Sequence, residues 1–351
     1  MTDTDVGANR SEQQQIDEIC QVIRQSGEDI RSQYPWMRNK NAVGLGIFLF
    51  AVTGIVASGW AYWVGAISAW LCIPLVAFLT SLLHELEHDL IHKQYFKNNK
   101  PIHNGMLLVC WALRPGTINP WIRRQLHFLH HKKSGTAEDR EEQGIGNGQP
   151  YGNWLRWLVM YDTLVGNITR ALVAAPKGKK LHFVLRILAA NFPFAVACAL
   201  TWYGFLAFHL IDGMAAAAGA PIAWSATTES IMAYVNNVVV VLIAPFYLRS
   251  FCLNFISSSM HYYGDVDSLL KQTQVLNAWF LWPFQLFCFN FGSTHAIHHF
   301  VVGEPFYIRQ LTAAKAHRVM RANGVRFNDL GTFSRTNRFG PPVIQSRTAS
   351  L

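Results

Sequence analysis

Four long apolar runs set the plan of this chain. They cover residues 42–63, 65–83, 183–208 and 231–252, separated by stretches rich in charge. At about 1.5 Å per helical residue, each is long enough to cross the roughly 30 Å core of a bilayer. The link at 61–68 carries no charge, which predicts a tight hairpin between the first two spans. Pro193 and Pro245 predict kinks in the third and fourth. Two shorter apolar stretches, 106–113 and 279–291, are amphiphilic or interrupted by Pro283, and predict re-entrant or interfacial helices. Near the N-terminus, Ile16, Ile19, Cys20 and Ile23 recur at helical spacing. They predict an amphipathic helix over 12–25, lying on the membrane or on the protein body, after a disordered stretch at 1–11. Tyr34, Pro35 and Trp36, with Arg38 and Lys40, form an interfacial belt before the first span. The chain thus divides into an N-terminal segment (1–41), a membrane domain (42–320) and a C-terminal tail (321–351).

Composition supports an integral membrane protein. Of 351 residues, 51% are hydrophobic and 15% charged, against about a quarter charged in soluble domains. Lys and Arg crowd 1–40, 93–186 and 303–347, whereas 209–230 holds Asp212 and Glu229 and no basic residue. The positive-inside rule then places both termini and the 84–182 region in the cytoplasm. The net charge of +9 reads as this topology signal and as contact with anionic lipid. No aromatic-basic motif accompanies it, so no nucleic-acid partner is expected. Cys20, Cys72, Cys110, Cys198, Cys252 and Cys288 form no CxxC pair and read as packing residues. The polar N-terminus does not look like a cleaved signal peptide.

Histidine placement carries the chemistry. Ten of the fourteen histidines fall into His84-x-x-x-His88-x-x-x-His92, His127-x-x-His130-His131, His295-x-x-His298-His299 and the single His261. All three clusters sit at the cytoplasmic ends of the spans or in the cytoplasmic loop. His84, His88 and His92 share a helix face. In HxxHH the first and fourth residues share a face and the fifth points some 100° away, toward a second metal. Imidazole suits first-row redox metals without thiolate, so the pattern predicts a histidine-bound di-metal centre containing iron. Glu85, Asp89, Asp265, Glu138 and Asp139 are candidates to orient the imidazoles, with solvated or structural charge as the plainer reading for all but Asp89. His103, His182, His209 and His317 lack cluster partners and read as non-ligands. Three other readings stay open. His84-Glu85-x-x-His88 matches the HExxH motif of zinc hydrolases, but leaves both HxxHH clusters and His261 unused. A haem cytochrome needs opposed single histidines within spans. A metal-binding structural protein predicts that losing one cluster histidine changes metal content but no lipid product.

HxxxH, HxxHH and HxxHH with four spans resembles the membrane fatty-acid desaturase and hydroxylase superfamily over residues 42–320. His88-Asp89-Leu90-Ile91-His92 followed by Phe96 is similar to its HDxxH first box. His84 with His88 satisfies the same spacing, so His84 stands either as a ligand or as a support to one. The resemblance implies ligands at His88, His92, His127, His130, His131, His295, His298 and His299. It adds His261, with Ser257 where some members carry a water-bridging Asn, and Asn254 one turn further back. It further implies two iron ions, O2 as cosubstrate, two external electrons and a fatty acid or fatty acyl substrate. Desaturation is the leading expectation. Decarboxylation of a free acid to a terminal 1-alkene comes second and hydroxylation third, because the same ligands serve all three. No HPGG-type haem segment or cysteine cluster is present, so a separate ferredoxin, rubredoxin or cytochrome b5 is expected as donor, drawn to the basic face. Arg123, Arg124, Lys132 and Lys133 read as surface charges, or as a site for a carboxylate or phosphorylated carrier. The expected fold is all-α: four transmembrane helices with a cytoplasmic helical cap over a diiron site, in a bacterial inner membrane.

Overall fold

The computed structural model describes residues 10–340, and these are helical throughout apart from connecting loops and two isolated β-bridges. Expectations for residues 1–9 and 341–351 lie outside the described residues. α1 (Glu12–Gln33) opens on a capping box between Ser11 and Gln14 and runs a further two turns beyond the predicted helix. Ser26-Gly27 does not stop it. Gly27 packs so closely on Glu304 that a Cβ would stand 3.0 Å from Oε1, and one turn on Arg31 pairs with that same carboxylate. The apolar face of α1 is buried on the protein body, through Ile19 and Ile23.

Among the described residues, four helices are long and apolar enough to cross a membrane: α2 (Lys40–Trp63), α3 (Ala69–Ile91), a helix at Phe194–Ala217 and a 35-residue helix at Ala226–Met260. α2 and α3 form the predicted hairpin. They approach closely because α2 offers glycine: a Cβ at Gly54 would stand 2.9 Å from Leu79, and one at Gly59 2.8 Å from Val241 of the fourth span. Trp60, Trp63 and Trp70 stand exposed at the turn of the hairpin, as an interfacial belt would require.

The third span differs from its predicted bounds. Residues 180–191 form a separate helix, and the span starts after Pro193. Proline disfavours helix in the residue before it, so the chain breaks at Phe192. In the fourth span, Pro245 lacks the N–H for a helical hydrogen bond, and residues Val239–Ile243 just before it widen into a π-helical turn.

The remaining helices form a cap at one end of the bundle. In chain order α4 (Lys100–Ala112), α5 (Pro120–Lys133), α6 (Arg140–Gly144), α7 (Trp154–Tyr161), α8 (Thr163–Ala174) and α9 (Lys180–Asn191) precede the third span, α10 (Phe194–Ala217), and the fourth, made of α11 (Ala226–Val238) and α12 (Ala244–Met260). After them come α13 (Trp282–Phe287), α14 (Phe291–Phe300) and α15 (Phe306–Ala322). The predicted stretch at 279–291 becomes a short turn plus α13, with Trp279 and Trp282 exposed. Beyond α15 the chain does not trail away. Residues 325–340 dock on the segment after α12, through Val275 N to the Arg326 carbonyl (2.9 Å) and Tyr263 N to the Asn337 carbonyl (2.8 Å).

Candidate metal centre

Three elements bring the histidines together. α3 supplies His84 and His88, with His92 just past its end. α5 supplies His127, His130 and His131, and its last turn is all basic or imidazole. α14 supplies His295, His298 and His299 and is buried over its entire length. His261 caps the end of α12. Two groups result, each able to hold a metal ion: His88, His92, His127 and His298 in one, and His130, His261, His295 and His299 in the other. They adjoin, with ring centroids of His88 and His295 5.4 Å apart and those of His131 and His299 5.1 Å apart.

In the first group four Nε2 atoms close a ring. His92 meets His127 at 2.9 Å, His127 meets His131 at 3.2 Å, His131 meets His298 at 3.0 Å, and His298 meets His92 at 3.1 Å. His131 therefore joins this group. Both HxxHH boxes split alike. The first and fifth residues converge (His127 with His131, His295 with His299), and the fourth turns to the other group. This corrects the pairing expected from the sequence. On a helix, i+4 lies about 40° from i while i+3 lies about 60° away on the other side.

Hydrogen bonds fix where the imidazole protons sit. Nδ1 of His127 donates to Glu141 Oε2 (2.7 Å), Nδ1 of His130 to Asp139 Oδ2 (2.8 Å), Nδ1 of His261 to the Ser257 carbonyl (2.8 Å), and Nδ1 of His299 to Gln272 Oε1 (2.9 Å). A neutral ring with its proton on Nδ1 presents a bare lone pair at Nε2. His261 and His299 therefore aim two lone pairs at each other across 3.2 Å. Lone pairs that converge repel unless a cation lies among them, and cis nitrogens about 2.1 Å from a metal stand roughly 3 Å apart. The donor set thus fits two metal ions. Burial first, then neighbouring imidazoles, lowers the His92 pKa to about 2 and the His261 pKa to about 3, and holds His295 and His299 well below the ordinary histidine range; for His298, held low as well, the Arg309 charge comes next after burial. His130 goes the other way. Burial would lower it, but the bond to Asp139 and the charges of Asp139, Glu141 and Glu142 push it up to about 9.

The supporting carboxylates are mostly not the ones the sequence suggested. Asp139 does orient an imidazole. Asp265 pairs instead with Arg338, and Glu138 with Lys133, at the surface. Asn254 bonds the Met160 carbonyl (2.9 Å). Ser257 contributes its carbonyl to His261, while its hydroxyl donates to Glu142 Oε1 (3.1 Å). Glu85 and Asp89 both pair with Arg309 of α15, at 3.3 and 3.2 Å, and Asp89 also accepts from Tyr95 Oη (2.8 Å) and from the first N–H of α15 (2.9 Å). They clamp the cap to α3. Sequence reasoning missed Glu141, Glu142 and Gln272. The acid run at 138–142, in the loop and short helix that follow the second box, was the available signal. Glu87 was missed too: it pairs with Arg114 and, at 2.8 Å, with Arg123, which meets Glu141 at 3.2 Å.

His84, expected as a ligand or its support, stands outside both groups and meets Arg114 Nη1 at 3.2 Å through Nδ1. With Glu85 held by Arg309, the HExxH reading finds no gathered site. Among the other histidines, His103 lies between the Tyr95 carbonyl and Arg124, and His317 bonds the Ser293 carbonyl (2.7 Å). Comparison with curated proteins returns no match. The family model for fatty acid desaturases matches residues 65–331. That span runs from the α2–α3 hairpin past α15 and takes in all ten cluster histidines, and the chain belongs to the fatty acid desaturase family.

Proposed function

We propose that this protein is an oxygen-dependent diiron membrane enzyme that introduces a C=C bond into a fatty acyl chain. The observation that carries this reading is the convergence of imidazole lone pairs in two adjoining buried groups. His88, His92, His127, His131 and His298 would hold one iron, and His130, His261, His295 and His299 the other. When bound, iron supplies the O2 and one-electron chemistry that cleaves an unactivated C–H bond. The chain's own residues do the rest. Glu141, Asp139, Gln272 and the Ser257 carbonyl keep each imidazole proton on Nδ1 and each lone pair inward. The burial of α14 and the end of α3 keeps bulk water from the centre.

The cap, the metal centre and both termini are assigned to the cytoplasmic side of a bacterial inner membrane, supported by the bias of Lys and Arg toward the cap loops. A separate ferredoxin, rubredoxin or cytochrome b5 with its reductase would deliver electrons to that basic face. Residues 42–320 serve as the catalytic membrane domain. The test is mass spectrometry on cells that express the chain and receive medium- and long-chain fatty acids, sampling lipids and sealed headspace together. A new unsaturated chain of unchanged length is expected, and it disappears in His298→Ala. A terminal alkene one carbon shorter would establish decarboxylation instead, and an alcohol hydroxylation.

A further inference from the structure

Arg249 is a buried guanidinium without an acid. It lies within the fourth span and is 1% exposed. Nη2 donates to Ser250 Oγ (2.8 Å), while Nε and Nη1 meet no partner, and among the described residues no carboxylate pairs with it. The other fully buried arginines also leave nitrogens without a partner, Arg309 its Nε and Nη1, but each has a counter-charge or a carbonyl and a close ring. Arg114 has Glu87, Arg309 has Glu85 and Asp89, and Arg156 bonds the Gln149 carbonyl and lies 3.5 Å from the centre of the Tyr151 ring. A lone charge inside a membrane span is costly and marks a site where a counter-charge arrives.

His84 makes the second half of this site. Arg114 Nη1 faces His84 Nδ1 at 3.2 Å. A guanidinium has no acceptor, so Nδ1 must accept and the proton of the neutral ring sits on Nε2. That Nε2 is buried and meets no partner. α3, which carries His84, packs directly on α12, which carries Arg249. Arg114 and Arg123 are matched by Glu87 and Glu141, which leaves Arg249 as the unmatched positive charge. Two unsatisfied donor groups and one unmatched positive charge, within apolar spans, describe a receptor for a monoanion that comes with its own apolar body.

We propose that Arg249 and the Nε2–H of His84 bind the carboxylate of an unesterified fatty acid. This rests on the fatty acyl reading above and narrows it to the free acid. It also sets a position along the chain. His84 precedes His88 by one helical turn, about 6 Å along α3, so a carboxylate held there offers the metals the first few carbons of the chain and not its middle.

The test is equilibrium binding of a radiolabelled saturated fatty acid to the purified full-length protein in detergent. The methyl ester and the primary alcohol of equal length serve as competitors. The acid is expected to bind about ten- to a hundredfold tighter than either. Arg249→Gln and His84→Gln should bring the acid down to the affinity of the ester, with ester affinity and iron content unchanged. Arg249→Lys should recover part of the preference. Equal binding of acid and ester by the unaltered protein overturns the proposal and leaves the fatty acyl reading standing, with no variant needed. An acid preference that survives in Arg249→Gln overturns it as well, since the carboxylate is then held elsewhere. Binding of neither acid nor ester removes both the proposal and the reading beneath it.

Discussion

His84 and His88 stand one turn apart on the same helix, both buried, yet their surroundings make them chemical opposites. Around His88 the neighbours are imidazoles, and in the two adjoining groups carboxylates, one carbonyl and one amide hold the protons of His127, His130, His261 and His299 outward, so lone pairs converge and the space suits a cation. His84 instead meets the Arg114 guanidinium through Nδ1 and leaves its Nε2–H without a partner, so the space suits an anion. What separates the two sites is which atom the second ring nitrogen faces, not the residue type. A carboxylate at Nδ1 makes a histidine a metal ligand, whereas an arginine at Nδ1 makes it a donor.

The comparison can be broken at several strengths. Removing a lone pair from either group should have the largest effect: His298→Ala or His130→Ala is expected to lose metal, read by elemental analysis, and to abolish product formation while the spans remain inserted. Full activity in either would sink the ligand assignment. Next come the carboxylates that hold the protons outward. Glu141→Gln and Asp139→Asn should each weaken iron binding by about 10–100-fold, read by competition with a chelator, and unchanged affinity would show that proton placement is not what prepares these rings. Arg309→Met leaves Glu85 and Asp89 buried without their counter-charge and should cost about 3–5 kcal/mol of stability, visible as a lower unfolding temperature. An unshifted transition would remove the clamp between cap and α3. His84→Gln sharpens the contrast, because iron content should not change. A loss of one iron would return His84 to the ligands. The smallest effect is expected at His317, which bonds a backbone carbonyl of α14. His317→Ala should keep activity and lose about 1 kcal/mol.

Some of this was legible along the chain. The α2–α3 hairpin, the four spans and the histidine clusters follow from runs and spacings that a reader can count, because helix geometry converts sequence distance into a fixed angle and rise. The fold misses were local conflicts decided by neighbours. Gly27 reads as a breaker until Glu304 fills the space above it, and the third span reads through Pro193 until the backbone breaks there. Burial also escaped the sequence. α3 and α10 are similar apolar runs, yet 61% of one and 11% of the other is buried. α3 lies at the centre with its charges turned to cap arginines, and α10 forms an outer wall.

Local composition and period are enough to identify a helical membrane protein with clustered imidazole sufficient for two metal ions. Only the tertiary structure decided which carboxylate stands behind which ring, that His131 closes the ring of His92, His127 and His298, and that His84 faces away from the metals. Those outcomes depend on residues as far apart as His92 and His298, or His84 and Arg114, meeting across helices. Spacing along one helix fixes which side chains share a face, but the proton on an imidazole is placed by whatever that face meets.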